Sequence, residues 1–256
     1  MIGIIGGTGI YELGLVEDGK FVDVKTPYGK PSDKIMIGFY KDKKLALFPR
    51  HGAKHTIPPH KLNNHANIYA LKKLGVDRIL ATAAVGSLNP EYKPKDFVFP
   101  DQFIDFGKDV ITYYNGPEVF HISAADPFCP QLRKALIETA KKLKIRFHER
   151  GVYLRIQGPR FSTRAESKMF RNFADIIGMT SVPEAILARE QAICYAIIAA
   201  ITDYDVWAEK PVDVQEVKNV MKLNAINVEK ILKNVIPRIP DERTCDCKNA
   251  LVGAKI

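Results

Sequence analysis

Five segments of the chain carry residue types suited to gripping an anion at one point and sharing a proton at another. Gly6-Gly7-Thr8-Gly9 follows the apolar run Ile2–Ile5. Glycines let the backbone turn tightly enough for its N–H groups to face an anion, and a Thr hydroxyl adds a bond. The segment lacks the full G-x-G-x-x-G spacing and the lysine of a P-loop, so a plain turn explains it equally well. Pro49-Arg50-His51-Gly52 closes a second apolar run, Leu45–Phe48. A guanidinium offers a planar fork of donors that matches phosphate oxygens, and histidine adds another. Gly52 permits close approach, which favours an anion site over a surface Arg beside a core-edge His. Nearby His55 and His60 have no Cys or carboxylate at ligand spacing, so a metal site is not expected.

The other three segments suit a flat, proton-accepting ligand. Ala81-Thr82-Ala83-Ala84-Val85-Gly86-Ser87-Leu88 runs from a strand into small residues, which admit a ligand against the backbone or simply pack a helix closely. In Gln157-Gly158-Pro159-Arg160-Phe161-Ser162-Thr163-Arg164-Ala165-Glu166, Phe161 could stack on a base, while Thr163 and Glu166 have the spacing of a capping box. Thr202-Asp203-Tyr204-Asp205-Val206-Trp207 ends an apolar strand with two carboxylates two residues apart. Such groups are costly beside apolar surface unless partnered or protonated, which favours a binding or acid role over helix capping. Paired carboxylates also suit cleavage at an anomeric carbon, as in glycoside hydrolysis.

The elements that must position these residues alternate. Strand-like runs cover Ile2–Ile5, Leu45–Phe48, Arg78–Ala84, Phe97–Phe99, Tyr153–Ile156 and Ala196–Thr202. Helix-like stretches cover His65–Leu74, Pro130–Leu143, Thr163–Phe173, Pro183–Tyr195 and Val214–Val235. The alternation predicts an α/β fold: one domain over 1–256, with a mostly parallel or mixed central sheet flanked by helices. Ligands in such folds gather at the carboxyl ends of strands, where these segments fall.

Composition narrows the classes. The net charge of +9 comes from 38 basic and 29 acidic residues that are scattered, without a basic stripe interleaved with aromatics. Runs such as Lys41-Asp42-Lys43-Lys44 and Lys141-Lys142 read as solvated faces rather than a nucleic-acid groove. No signal peptide and no apolar run of membrane length is visible, so a cytoplasmic protein without membrane contact is expected. Cys245-Asp246-Cys247 in a polar tail reads as two free surface thiols, with a redox pair or disulfide as the minority alternative. A C-x-C pair alone lacks the further ligands of a structural zinc site.

Taken in order, the segments resemble the 5′-methylthioadenosine phosphorylase branch of the trimeric purine nucleoside phosphorylases. Besides those above, the matching stretches are Pro58-Pro59-His60, Asn67-Ile68-Tyr69-Ala70-Leu71, Asp101-Gln102-Phe103-Ile104-Asp105 and Asp126-Pro127-Phe128-Cys129-Pro130. They follow the family order from residue 2 to about 240. The resemblance implies that Thr8, Arg50, His51 and Thr180 hold phosphate, with a backbone N–H near Ala84. It puts Met179 under the ribose, Phe161 and Ser162 along the base, and Asp203 and Asp205 at the purine N7 and 6-amino edge. Val214 and Val217 would border the 5′-substituent. His121 would reach that end from a neighbouring subunit, implying a homotrimer or a hexamer of paired trimers. No metal or organic cofactor is implied; inorganic phosphate is a co-substrate.

The C-x-C tail looks like that of archaeal thermophile members, where it is associated with disulfides, and Cys129 and Cys194 look like their other pair. Two departures stand out: Ala83 replaces a frequent Thr, and Gln157 replaces a frequent Glu. The implied reaction is phosphorolysis of 5′-methylthioadenosine. Asp203 and Ser162, where 6-oxopurine enzymes of this fold have Asn and Glu, favour adenine. The alternative is a 6-oxopurine phosphorylase acting on 5′-methylthioinosine, inosine or guanosine, since a protonated Asp donates to a 6-oxo group. A nucleoside hydrolase is the nearest chemical rival. A dinucleotide-dependent oxidoreductase would need the full glycine fingerprint.

Overall fold

Two of the most apolar runs lie side by side at the centre of the molecule. In the computed structural model, which describes residues 1–7, 9–208 and 212–256, the first strands are β1 (Ile2–Gly6), β2 (Glu17–Val22), β3 (Ile35–Tyr40), β4 (Lys43–Pro49) and β5 (Arg78–Ser87). They are followed by β6 (Phe97–Val98), β7 (Gln102–Asp105), β8 (Phe147–His148), β9 (Val152–Arg155), β10 (Ile176–Gly178) and β11 (Cys194–Asp203). The α-helices are α1 (Asn64–Lys73), α2 (Pro130–Leu143), α3 (Arg164–Phe170), α4 (Ser181–Glu190) and α5 (Val214–Val235).

β5 and β11 run parallel from the Arg78–Cys194 pair to the Gly86–Asp203 pair, with a bulge after Ile201. Every residue of β11 except Asp203 is buried. A strand covered on both faces reads as a continuous apolar run, which is why β11 is legible without alternation. β1 lies parallel between β4 and β5. The remaining pairings make the sheet mixed: β2, β3 and β4 run antiparallel, and β10 meets β5 antiparallel.

Helices cover both faces. Ile5, Phe48, Ala81 and Ile197 pack under α1 and α4 through Ile68, Leu71, Val182 and Leu187. Ile4, Leu47, Leu80 and Ile198 face the other way, toward Leu132 and Leu136 of α2 and Ile231 and Leu232 of α5. The result is a helix–sheet–helix sandwich of one α/β domain.

Several expectations change. The helix read over Pro183–Tyr195 ends at Glu190; Ala192 adopts a φ of 53°, and Tyr195 already belongs to β11. β2 has no buried residue, so no apolar pattern announced it. Lys43 is not on a solvated face: it is 9% exposed in β4, with its Nζ 2.6 Å from Asp241 Oδ1. Cys245 and Cys247 are not surface thiols; the tail folds back and buries both. No helix among the described residues is long and apolar enough to cross a membrane.

Candidate active site

A notch in the sheet collects the expected residues. β5 pairs with β1 only as far as Ala81 and with β10 only from Gly86. On that side the stretch between has no strand partner among the described residues. Thr82 is half-buried there, and Ala84 is exposed although it sits mid-way along the central strand. Backbone left unpaired at the centre of a sheet needs another partner, and a bound ligand can supply it.

At the near end of the notch stands Arg50. β4 delivers it beside the first glycine loop, with Arg50 N donating to Gly6 O at 2.9 Å. Its guanidinium is 2% exposed and fixed on three sides. Nε and Nη2 form a fork onto the Glu184 carboxylate, the Nη2–Oε2 distance being 2.9 Å, and Nη1 donates to Thr82 O at 2.9 Å. Tyr195 Oη donates to the same carboxylate at 2.6 Å. Burial works against the Arg50 charge, but Glu184, by charge and hydrogen bonding, more than offsets this and raises its pKa. A guanidinium has five N–H groups. The three bonds leave one hydrogen on each of Nη1 and Nη2 for an incoming anion.

His51 is next in the chain, and its Nδ1 lies 2.8 Å from Ile57 O. A carbonyl only accepts, so Nδ1 carries the proton and Nε2 is the free ring nitrogen. Burial pushes the imidazole pKa down, which keeps the ring neutral near pH 7. Thr180 precedes α4 and makes no side-chain capping bond, so its hydroxyl is not consumed by the helix. It stands one turn before Glu184 and therefore beside the Arg50 clamp. Thr8 lies outside the described residues.

Asp203 marks the far end. A Cβ on Gly86 would come within 3.0 Å of Asp203 Oδ1, so this position of β5 must be bare for the carboxylate to lie against it. Thr202 Oγ1 donates to Asp203 Oδ2 at 2.7 Å, and Asp205 N donates to Oδ1 at 2.8 Å. Asp205 turns back to make that bond by adopting a φ of 50°. Burial raises the pKa of both carboxyls. Asp205 is 4% exposed, near the Ser167 and Ser162 hydroxyls, and its Oδ2 has no hydrogen-bond partner. The turn is anchored by Trp207 Nε1, which donates to Ser87 O at 2.7 Å.

From Thr82, which holds Arg50, to Gly86, which abuts Asp203, is four residues of strand, about 13 Å at 3.3 Å per residue. That is the scale of a nucleoside with an anion at its sugar. A cleft of about 600 Å³ opens beside Asp203 and Asp205, with Val212, Glu216 and Val217 of the α5 entry as its other wall. Val214 is exposed one turn before Val217, at the start of α5. Ser162 is buried where the chain enters α3, and the expected capping box of Thr163 and Glu166 is present. Phe161 is exposed beside it. Met179 packs against Gly158, whose φ of 68° and lack of Cβ accommodate its sulfur.

His121 does not line the cleft of its own chain. It lies on a strap that bridges Phe120 to Lys255. Gln157 is engaged elsewhere too, with its Oε1 accepting from Lys108 N at 2.9 Å.

Sequence reasoning passed over Glu184 and Tyr195. The available signal was a carboxylate within the apolar stretch Val182-Pro183-Glu184-Ala185-Ile186-Leu187, where a charge needs a partner. Replacing Glu184 with glutamine should leave Arg50 partly unpaired, a change worth about 3–5 kcal/mol and a fall in Tm of roughly 10 °C. The KM for the anion should rise more than that for the organic substrate. A scan calorimeter and two saturation curves check this.

The fold is of the nucleoside-cleaving phosphorylase kind, and the comparisons agree. The model of the phosphorylase superfamily matches residues 1–237, and the chain belongs to that family. It is 59% identical over 251 residues to the S-methyl-5′-thioadenosine phosphorylase of Pyrococcus horikoshii, covering 98% of this chain and 97% of that one. It is 56% identical to the protein of the same name from Thermofilum pendens, over 100% of this chain and 98% of that one. A methylthioadenosine phosphorylase crystal structure from an Antarctic soil metagenomic library superposes with a TM-score of 0.94 at 41% identity, covering 100% and 92% of the two chains. The Schistosoma mansoni methylthioadenosine phosphorylase in complex with adenine gives 0.92 at 36% identity, covering 99% and 98%.

Proposed function

We propose that the protein cleaves 5′-methylthioadenosine with inorganic phosphate, giving adenine and 5-methylthioribose 1-phosphate. The observation that carries this is the placement of the Arg50 guanidinium and the half-buried Asp203 carboxyl against the same strand, four residues apart. Phosphate, held by Arg50, Thr180, Thr8 and backbone N–H groups near Ala84, with His51 Nε2 accepting from a phosphate hydroxyl, attacks the anomeric carbon on the face opposite the base. The sugar acquires oxocarbenium character, and the adjacent phosphate charge stabilises it. Asp203, whose carboxyl burial makes a weaker acid than an exposed aspartate, gives N7 a proton as the purine leaves. Asp205 accepts from the 6-amino group, Phe161, Ser162 and Met179 enclose base and ribose, and Val214 and Val217 line the methylthio end. No cofactor is required, because phosphate itself is the second substrate.

The strap position of His121, outside its own cleft, supports a homotrimer or hexamer in which it completes a neighbour's site. A cytoplasmic enzyme without nucleic-acid or membrane partners follows from the same reading. The 6-oxopurine alternative draws on the raised pKa of Asp203, which as an acid can donate to a 6-oxo group. Assays of purified protein on methylthioadenosine, methylthioinosine and inosine, with phosphate, with arsenate and with neither, decide the matter. Base release should require phosphate or arsenate and favour methylthioadenosine. Equal release in their absence would make the enzyme a hydrolase, and a large preference for inosine would move it to the 6-oxopurine class.

A further inference from the structure

The first buried residue of α5 is polar. From Val214 to Leu223 the helix buries no residue fully, whereas Asn224 is 3% exposed. A buried amide is costly unless it is hydrogen-bonded. Asn224 Nδ2 donates to Ile201 O at 3.0 Å, and Lys95 N donates to the same oxygen at 2.9 Å. Ile201 is where the register of β5 and β11 slips, so that Asp203 rather than Thr202 comes opposite Gly86. A bulge re-aims the side chain that follows it. Here it sets Asp203 Oδ1 against Gly86, 3.0 Å from where a Cβ would stand.

The Ile201 carbonyl thereby gathers three walls of the cleft. Pro94, adjacent to Lys95, belongs to one; Thr202, Asp203 and Asp205 form the second; Val217 and Val220 of α5 form the third. Val217, Val220 and Asn224 succeed one another at intervals of three and four residues, so they lie along one stripe of the helix. The stripe that faces the cleft is fastened, at Asn224, to the strand end that carries Asp203.

We infer that Asn224 is a positioning residue that couples recognition of the 5′-substituent to placement of the acid at the base, by holding the α5 wall and the Asp203 bulge in one arrangement through Ile201 O. This role rests on the methylthioadenosine reading of the cleft, in which Val217 borders the methylthio group. Asn224 is not among the residues that line the cleft, so it acts through others. Val217 precedes it by about two helical turns on a continuous helix, so the wall and the amide move as one body. Without the amide, the wall is no longer indexed to the bulge. A methylthio group depends on that apolar wall more than a hydroxyl does, so it suffers more. Ile201 O keeps Lys95 N as a donor, so removal of the amide strands no buried carbonyl.

The test compares the full-length parent with Asn224→Leu, which keeps the branching of the side chain and removes the donor, and with Asn224→Ala, which removes it without adding bulk. For methylthioadenosine, kcat/KM should fall by about 10²-fold, the scale of a small misplacement at a reacting centre. For adenosine, which differs only at the 5′-substituent, it should fall by about tenfold, so the preference for the methylthio group shrinks by about tenfold. The KM for phosphate, set at Arg50, should stay as in the parent. A loss of folded protein alone would scale both nucleosides equally; an unchanged ratio between them would overturn the coupling. A parent that shows no preference for the methylthio group would overturn the functional reading and this role with it, whereas a parental preference that survives both substitutions overturns this role alone. If neither variant folds, hydrogen exchange of the parent decides. With phosphate, an uncleaved 5′-methylthio nucleoside should slow exchange at residues 202–205 and 217–224 together, and more than its 5′-hydroxyl counterpart does. Protection of α5 alone would overturn the coupling.

Discussion

Asp203→Asn should cost about 10²- to 10⁴-fold in kcat/KM on adenine nucleosides, the usual worth of a positioned proton donor. The side chain keeps its size, and Asn retains one oxygen for the Asp205 amide, which donates at 2.8 Å. What disappears is the acid. Burial raises the Asp203 pKa from its ordinary 3.8, so the carboxyl holds its proton at pH values where an exposed aspartate has lost it. As pH rises through that raised value, the proton is lost and kcat/KM should fall; the Asn variant should show no such limb. Stability carries the same signature with a definite sign. Because the folded carboxyl binds its proton more tightly than the unfolded one, folding becomes less favourable as pH climbs from about 3.8 through the folded value, then levels. The Asn variant should lack that slope. A pH–rate profile of both proteins, with thermal unfolding at matched pH, checks both parts. An unchanged profile would remove Asp203 from the acid role.

The second large effect is expected at the other end of the notch. Arg50→Ala should lower kcat/KM for phosphate by about 10³-fold, comparable to losing a pre-organised donor to the transition state. The nucleoside KM should move far less. Because the change also strands Glu184, 1% exposed, a fall in Tm should accompany it. Arg50→Lys separates the two consequences. Lysine keeps the positive charge beside Glu184 but cannot fork onto it while also reaching Thr82 O and an anion. It should recover most of the stability and little of the phosphate affinity. Phosphate saturation curves for both variants, each with a calorimetric scan, provide the check. Phosphate dependence that survives Arg50→Ala would show that the anion binds elsewhere.

The parts legible in the sequence were those with local causes. Pro130 starts α2, and an amphipathic pattern carries α5 from Val214 to Val235, so both helices have the bounds their residues suggest. Arg50 and Asp203 stand out because each follows a buried apolar run, where a charge needs a reason. Other features depend on residues far apart in the chain. α4 was read too long because Gln191-Ala192-Ile193 contains no Gly or Pro; a non-glycine residue takes the left-handed turn. Glu184 looked like an ordinary helix residue because its partner Arg50 is 134 positions away. The cysteine tail looked exposed because its neighbours, Cys129 and Cys194, are brought to it only by the fold. Polar β2 is held in the sheet by pairing with β3 rather than by burial.

A crystal structure of the protein with phosphate and adenine, or with phosphate and an uncleaved analogue of methylthioadenosine, tests the central claim most directly. The anion should lie within hydrogen-bonding distance of Arg50 Nη1 and Nη2, and purine N7 within hydrogen-bonding distance of Asp203, both in one continuous cavity along β5. An anion remote from Arg50, or a purine that Asp203 does not touch, would contradict it.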